Sequence, residues 1–249
     1  MINKIKDFYF KYSPNFSERY AKYNALFLFS KYIKDEFSNI AVVDKNLKLN
    51  DINKEFEAKN LTPSYLTFEK PSSKFKIIYE DDFLIFENIQ KLYNKFSKFK
   101  SSNVKLVEAN TPELINNYRI INDKCYSVAS YDNPYSNIDN FAYTKNVLDS
   151  QKNQKEAKTL IFIIKFKDLD VGCINLTIKD DLCYISGLAI LKEYRKTKVF
   201  SVLIDALEIL IKNGVKNIFC ITELNEYPDK LYKKLGFKSV AIAYGFKQK

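Results

Sequence analysis

The stretch from residue 182 to residue 237 decides the fold, and it reads LCYISGLAI LKEYRKTKVF SVLIDALEIL IKNGVKNIFC ITELNEYPDK LYKKLGF. Its first apolar run, 182–190, predicts a strand. An apolar helix then begins near Val199 and ends at Asn213-Gly214. A further strand follows at 217–222, and two strands joined through a helix lie parallel in one sheet. A short helix at 228–235 and a last strand at 237–246 complete the pattern.

The preceding segment predicts elements that can join the same sheet. A strand at 104–107 is followed by Thr111-Pro112, a helix start with threonine as N-cap and proline at the first helical position. The buried face of this helix comprises Leu114, Tyr118, Ile121 and Cys125, and a second helical pattern uses Ile138, Phe141, Ala142 and Leu148. Strands at 159–166, 171–178 and 182–190 then follow through short connectors, which favour antiparallel hairpins.

Two spacings in this part of the chain resemble the acyl-CoA-binding and catalytic segments of the GNAT superfamily of N-acetyltransferases. The first runs from Leu188-Ala189-Ile190 through Tyr194-Arg195-Lys196-Thr197-Lys198 into the helix near Val199, a layout that sets a phosphate on a helix N-terminus. The second is Asn225 followed by Tyr232 seven positions later, in Leu231-Tyr232-Lys233-Lys234-Leu235-Gly236-Phe237. The resemblance implies an α/β (α+β) fold for 104–249, a mixed, mostly antiparallel sheet flanked by helices.

The resemblance also implies where a coenzyme A thioester binds. Pantetheine would add to the backbone of strand 182–190, through Leu188 and Ile190, and Gly187 would allow a bulge there. A plain core strand explains the same side chains equally well. The phosphate-binding loop would comprise Arg195, Lys196, Thr197, Lys198, Val199 and Phe200, although the family has small residues where this chain has Lys198 and Phe200. The alternative for this loop is a solvated basic turn.

The resemblance also implies catalytic roles in the segment of the second spacing. The resemblance makes Tyr232 the proton donor to the departing thiolate and Asn225 part of the cofactor-binding segment. Tyr232 could instead simply pack beside Leu231 and Leu235. The glutamate that some family members use as a base is replaced by Tyr184, so Glu223 is the candidate base by its location. Glu223 could also be an ordinary solvated carboxylate, and a water relay would need no side chain.

Composition excludes several chemistries. The chain contains no histidine, which removes Ser-His-Asp and Cys-His catalysis and histidine metal sites. Its four cysteines, Cys125, Cys173, Cys183 and Cys220, form no Cys-x-x-Cys pair, so we expect buried free thiols and no metal site. The N-terminus lacks a signal-peptide pattern and no long apolar run is present, which predicts a cytoplasmic protein without a membrane association.

The net charge of +10 raises the question of a nucleic-acid partner. Of the 40 basic residues, only Arg19, Arg119 and Arg195 are arginine, so 40 − 3 = 37 are lysine. Nucleic-acid readers rely on arginine for bidentate contacts, and the charge here is spread along the chain. The charge therefore favours attraction of an anionic small molecule such as CoA over nucleic-acid recognition.

Residues 1–103 predict a smaller α/β region, separated from the GNAT-like domain at 104–249 by the polar stretch 98–103. A helix is expected at 17–37, with Tyr20, Leu26, Phe29, Ile33 and Phe37 on one face, and another at 51–59. Strands are expected at 39–43 and 75–79. One interpretation of this mixture is a degenerate second copy of the same fold.

The leading functional hypothesis is a CoA-dependent N-acyltransferase with acetyl-CoA as cosubstrate and direct attack by a primary amine. The alternative is a catalytically inactive GNAT-fold module that senses CoA or mediates interactions, and a nucleic-acid-binding protein is the third possibility. The sequence identifies neither the amine acceptor nor the oligomeric state.

Overall fold

The computed structural model describes residues 1–44, 49–127, 140–195 and 201–249. Its contacts define two compact units. The first, here the split unit, contains Met1–Ile85 and Cys220–Lys249, and the second, here the central unit, contains Phe86–Phe219. The domain boundary between residues 103 and 104 stays a prediction, because these contacts do not test whether residues 1–103 or residues 104–249 fold independently.

The described helices and strands alternate along the chain. In chain order they are α1 (Ile2–Tyr12), β1 (Glu18–Lys22), β2 (Ala25–Phe29), β3 (Asn39–Val42), α2 (Leu49–Glu57), β4 (Tyr65–Thr67), β5 (Phe75–Glu87), α3 (Ile89–Phe96), β6 (Val104–Glu108), α4 (Pro112–Ser127), α5 (Asn140–Asn153), β7 (Lys158–Phe166), β8 (Leu169–Lys179), β9 (Leu182–Ile190), α6 (Val202–Lys212), β10 (Asn217–Glu223), α7 (Tyr227–Leu235) and β11 (Lys238–Gln248). Short 3-10 turns occupy Ser97–Phe99 and Lys192–Tyr194.

The split unit is built on strands in the order β1-β2-β3-β4-β11-β5-β10. The last strand of the chain, β11, pairs antiparallel with both β4 and β5 and so ties the C-terminus to the N-terminal segment. On one side the sheet packs against α2, where Phe27, Phe29, Phe56 and Tyr65 are fully or almost fully buried. Burying aromatic side chains of this size is the main source of stability for such a core.

The helix expected at 17–37 is wrong, because residues 18–29 form the hairpin β1–β2. Tyr23 and Asn24 both have left-handed backbone, with φ of 52° and 56°, which a two-residue hairpin turn requires and a helix cannot contain. The strands are stabilised by Tyr20 and Phe27, whose rings stack at 5.1 Å. Spacing alone did not separate strand alternation from a helical face in this aromatic-rich stretch.

The central unit has strands in the order β10-β9-β8-β7-β6. The hairpins predicted among β7, β8 and β9 are confirmed as antiparallel pairs, and β9 and β10 are confirmed as parallel. The predicted start of α4 is also confirmed, because the Leu114 N–H donates to Thr111 Oγ1 at 3.3 Å. The spacing predicts that α6 buries Leu203, Ala206, Leu207 and Leu210, and all of these are buried except Leu203, which is half-buried; Val202 and Ile204 face the core as well.

All four cysteines are buried and unbridged, as predicted. No helix in the described part of the chain combines the length and apolar composition needed to cross a bilayer.

Gly245 in β11 provides a direct test of the split unit. It lies opposite Tyr79 of β5, and a Cβ added at Gly245 would come within 2.1 Å of the Tyr79 ring. We expect Gly245→Ala to lower the free energy of unfolding by about 1–3 kcal/mol through overpacking. Urea denaturation measures this change.

The matched control is the Gly245→Ala/Tyr79→Leu double variant, in which the obstructing ring is removed. The penalty of the alanine should then shrink relative to Tyr79→Leu alone. Equal penalties in both backgrounds would contradict the pairing of β5 with β11.

Candidate active site

The burial and the pairing of strand β9 change halfway along its length. Leu182, Cys183 and Tyr184 pair with β10, and the strand is buried as far as Ser186. From Gly187 onward, β9 is half-exposed and, within the central unit, pairs with β8 alone. Backbone N–H and C=O groups at the other edge of this segment can therefore bind a ligand as an added strand would.

A bulge marks the point where this change occurs. Cys173 pairs with Ala189 and Asn175 pairs with Ser186, so Gly187 and Leu188 lie opposite the single residue Ile174. Gly187 has φ of 59°, a left-handed conformation that glycine adopts without strain. Of the bulge and the close ligand approach that a glycine would allow here, the structure has the bulge, which redirects Leu188 and the residues that follow.

Ile190 lies where its backbone can face the open edge. The next residue, Leu191, donates its N–H to the Val171 carbonyl of β8 at 2.9 Å. Because successive residues of a strand direct their backbone groups to opposite edges, the Ile190 groups point away from β8. At that edge the Ile190 carbonyl accepts a hydrogen bond from Arg195 Nε at 2.8 Å.

Of the predicted phosphate loop, the structure describes Arg195, which is exposed. Its contact with Ile190 anchors the guanidinium beside the end of β9. Arg195 also acts on the buried Cys125 of α4: burial raises the pKa of this thiol to about 12, and the positive charge of Arg195 opposes the shift. The other loop residues of the prediction, Lys196, Thr197, Lys198, Val199 and Phe200, lie outside the described residues.

Tyr232 lies in α7 of the split unit and is almost fully buried, with 7% exposure. Its ring packs edge-on against Phe237 at 5.0 Å between centroids. Burial, with a smaller contribution from Cys220, raises the pKa of Tyr232 well above its usual value. The hydroxyl therefore keeps its proton near neutral pH, but it is a weaker acid than a solvated tyrosine.

The backbone conformation of the turn explains why asparagine occupies position 225. Its φ is 67°, a left-handed conformation that asparagine tolerates better than most residues, and its N–H donates to Asp229 Oδ2 at 3.0 Å. Its side chain is exposed in the turn that precedes α7. The structure accounts for Asn225 through this turn, and its predicted contact with a cofactor stays a prediction.

Two buried carboxylates that the sequence did not indicate hold α7 in place. Lys233 Nζ lies 2.8 Å from Asp82 Oδ2 and 2.9 Å from Asp229 Oδ2, and both aspartates are almost completely buried. Asp82 also accepts a hydrogen bond from Ser239 at 2.6 Å. Removing one member of such a group leaves an uncompensated charge in the interior, which typically costs about 3–5 kcal/mol. The network therefore fixes the helix that carries Tyr232.

Glu223, the predicted base, is half-buried at the end of β10, and Asp81 of β5 lies close enough for their charges to interact. A hydrogen bond from the Leu224 N–H to the Glu80 carbonyl, 2.8 Å long, holds the two backbone segments together. Burial, and then the charge of Glu223, raises the pKa of Asp81 to about 7. Burial, and then Glu226, raises the pKa of Glu223. A carboxyl that titrates near neutrality suits general-base chemistry, so Asp81 joins Glu223 as a candidate base.

An open cleft of about 470 Å³ lies elsewhere in the central unit. Charged and polar residues around the start of β7 and the end of β8 line it, including Glu108, Lys158 and Asp180. It contains none of the predicted site residues, so the cleft is separate from the open edge of β9.

The comparisons with known proteins agree with the fold that the sequence predicts. Residues 157–239 match the family model described as an acetyltransferase (GNAT) domain, so this part of the chain is a GNAT domain. A search of the curated proteins finds no match.

Solved structures share the fold over almost the whole chain. A functionally unknown conserved protein from Staphylococcus epidermidis ATCC 12228 has a TM-score of 0.69 and 14% identity, covering 97% of this chain and 96% of its own. A GCN5-related N-acetyltransferase from Kribbella flavida has a TM-score of 0.61 and 13% identity, with 98% and 94% covered. A tandem GNAT protein from the clavulanic acid biosynthesis pathway has a TM-score of 0.57 and 9% identity, with 89% and 77% covered. At these identities the likeness concerns the fold, which confirms the predicted mixed, mostly antiparallel architecture.

The pKa of Asp81 gives a testable effect of pH on stability. A carboxyl whose pKa is raised on folding binds its proton more tightly in the folded chain, so folding loses stability as the pH rises from about 4 to about 7. Asp81→Asn removes this loss. Its stability relative to the unmodified chain should therefore increase over that range, by on the order of 1–2 kcal/mol, in urea denaturation at pH 4.5 and 7.5.

Asp168→Asn is the control, because Asp168 is an exposed turn residue with 89% side-chain exposure. Its effect on the free energy of unfolding should be nearly the same at both pH values. A difference for Asp81→Asn that stays constant with pH would show that the carboxyl titrates in its ordinary range.

Proposed function

We propose that this chain is a CoA-dependent N-acyltransferase that uses acetyl-CoA as cosubstrate and transfers the acetyl group to a primary amine. The observation that carries this proposal is the second half of β9, which is bulged at Gly187, half-exposed, and paired on one side only within the central unit. It lies inside the segment that matches the GNAT domain. The fold of this family supports acyltransferase activity in general, and the specific reaction is our proposal.

The residues present fit a coenzyme A thioester. Backbone groups of Leu188 and Ile190 would bind the pantetheine arm at the open edge of β9, and Arg195 would bind phosphate oxygens. The guanidinium already lies beside this edge, since its Nε is bonded to the Ile190 carbonyl. We assign the loop 196–200 and Asn225 to the same cofactor by family resemblance. The net charge of +10 would favour the approach of this anionic cosubstrate.

Acetyl-CoA supplies an activated acyl group, and the chain has to supply proton transfer. As the amine nitrogen forms a bond to the thioester carbonyl carbon, the carbon–sulfur bond breaks, the nitrogen loses a proton and the thiolate gains one. We assign proton removal to Glu223 or Asp81, because a raised pKa makes each carboxylate a stronger base than an ordinary one. We assign proton donation to Tyr232, which burial keeps protonated.

The burial of Tyr232 also favours a second candidate. A tyrosine whose pKa lies well above its usual value has to give a proton uphill to a thiolate, whose ordinary pKa is about 8.5. A GNAT-fold module that binds CoA without turnover would not need this transfer. Such a module would keep the β9 edge and Arg195 as its binding site.

Calorimetric titration with acetyl-CoA tests the binding on which both candidates depend. We expect micromolar affinity, and we expect Arg195→Ala to weaken it about tenfold through the loss of charge-assisted hydrogen bonds to phosphate. Arg119→Ala is the matched control, because Arg119 lies in α4 outside the predicted loop and bonds Asn116. Affinity that is unchanged in Arg195→Ala would reject the loop assignment, and no binding by the unmodified chain would reject both candidates.

Thiol release over a panel of amines then separates the two candidates. An acyltransferase releases CoA only when an acceptor amine is present, whereas a sensing module binds acetyl-CoA without amine-dependent release. In an active chain, Tyr232→Phe should reduce kcat with little change in the affinity for acetyl-CoA. Unchanged turnover in this variant would remove Tyr232 from the mechanism.

A further inference from the structure

The bulge of β9 decides which backbone groups face the open edge of the strand. Before the bulge, Asn175 lies opposite Ser186, and beyond it the Leu191 N–H donates to the Val171 carbonyl at 2.9 Å. Continuing the first register without the extra residue would place Ile190, instead of Leu191, opposite Val171. Ile190 would then bond β8, and its N–H and C=O groups would be withdrawn from the open edge. The edge therefore depends on the bulge being maintained.

Asn175 of β8 packs directly against the bulge. It is fully buried, and a Cβ added at Gly187 would lie 2.5 Å from its Nδ2 and 3.2 Å from its Cγ. The Gly187 carbonyl in turn accepts a contact from Cys173 Sγ at 3.5 Å. The amide of Asn175 thus occupies the space that only a glycine leaves open at this position.

A hydrogen bond from α4 fixes the orientation of this amide. The Tyr118 hydroxyl donates to Asn175 Oδ1 at 2.6 Å, and both side chains are fully buried. Because the oxygen is used in this way, Nδ2 is directed to the other side of the amide, where Gly187 lies. Loss of the Tyr118 hydroxyl would leave a buried oxygen unsatisfied, which typically costs about 1–3 kcal/mol.

Tyr143 of α5 makes a second contact with the same group of residues. Its hydroxyl lies 3.5 Å from the position that a Cβ at Gly187 would take. Burial, and then the proximity of Cys173, raises the pKa of Tyr143 to about 12, while hydrogen bonds with Asn175 and Ser186 oppose this shift. One phenol therefore bonds β8 and β9 across the last regular pair before the bulge.

We propose that Tyr118 and Tyr143 are positioning residues for binding of the CoA thioester: through Asn175 and Ser186 they hold the bulge, and so keep Ile190 directed to the open edge. The inference rests on the proposed function and assigns none of these four side chains a contact with the ligand. It gives the packing of α4 and α5 on β8 and β9 a role in binding, because each helix supplies one hydroxyl to the base of the bulge.

The test uses Tyr118→Phe and Tyr143→Phe, which each remove one hydroxyl and keep the ring. CoA and acetyl-CoA share the pantetheine arm, so calorimetry on the full chain should show both dissociation constants raised about 3- to 10-fold. Because the edge binds ground state and transition state alike, KM for acetyl-CoA should rise while kcat changes less than about twofold. A merely structural role would lower the midpoint of urea unfolding and leave the dissociation constants of the folded chain unchanged.

A double-mutant cycle tests whether Tyr118 acts through Asn175. In the Asn175→Ala background no amide is left for the Tyr118 hydroxyl to orient, so Tyr118→Phe should not weaken binding further. Effects of the two substitutions that simply add would contradict this order of action.

Thr177→Val is the matched control. Thr177 lies two residues from Asn175 on β8 and is fully buried, and its hydroxyl is 3.2 Å from that of Thr159. Removing this hydroxyl disturbs a buried polar pair away from the bulge. The variant should therefore unfold at a lower urea concentration and bind CoA as tightly as the unmodified chain.

Tyr143→Phe leaves the Tyr118–Asn175 hydrogen bond intact and decides the question if Tyr118→Phe does not fold. Unchanged dissociation constants in the folded variants, with acetyl-CoA still bound by the unmodified chain, would overturn this inference and leave the proposed function standing. An unmodified chain that binds neither acetyl-CoA nor CoA would overturn both.

Discussion

The backbone of Gly187 is the constraint on which the rest of the central unit depends. Its left-handed conformation inserts one extra residue into β9, and the Asn175 amide occupies the space where any other side chain would begin. Before this point β9 is an ordinary buried strand, and after it the strand is half-exposed with an edge directed away from β8. The Tyr118–Asn175 hydrogen bond supports the bulge from below, and the Arg195–Ile190 hydrogen bond closes its far end. These two polar contacts thus bound the half-exposed segment of β9 to which we assign ligand binding.

In the split unit, buried ion pairs hold a helix in place. Asp82 and Asp229 are buried carboxylates that share Lys233, and this contact holds α7 against β5. The arrangement is costly to break and places Tyr232 in a low-dielectric environment that raises its pKa. Asp81, next in sequence to Asp82, lies near Glu223 instead, and burial, and then the charge of Glu223, raises its pKa to about 7. Adjacent aspartates in one strand therefore have different surroundings because successive side chains point to opposite faces of the sheet.

Much of the central unit could be predicted from local sequence, because its hairpins have short connectors and its α4 helix has a threonine cap. The hairpin at Tyr23-Asn24 could not, since its aromatic residues satisfy helical and strand spacing alike. The strand predicted at 75–79 extends to Glu87, and only pairing with β11 shows that Glu80, Asp81 and Asp82 lie within it. Asp81 was missed for a related reason: its environment comes from β10 and β11, which are distant in sequence.

Residues 187–191 form the proposed ligand-binding edge. Amide hydrogen exchange of the full chain, measured with and without saturating acetyl-CoA, tests this claim directly. We predict that exchange slows at Leu188 and Ile190, because their backbone groups would bond the ligand and lose contact with water. Unchanged exchange across residues 187–191, with protection confined to other segments, would contradict the account.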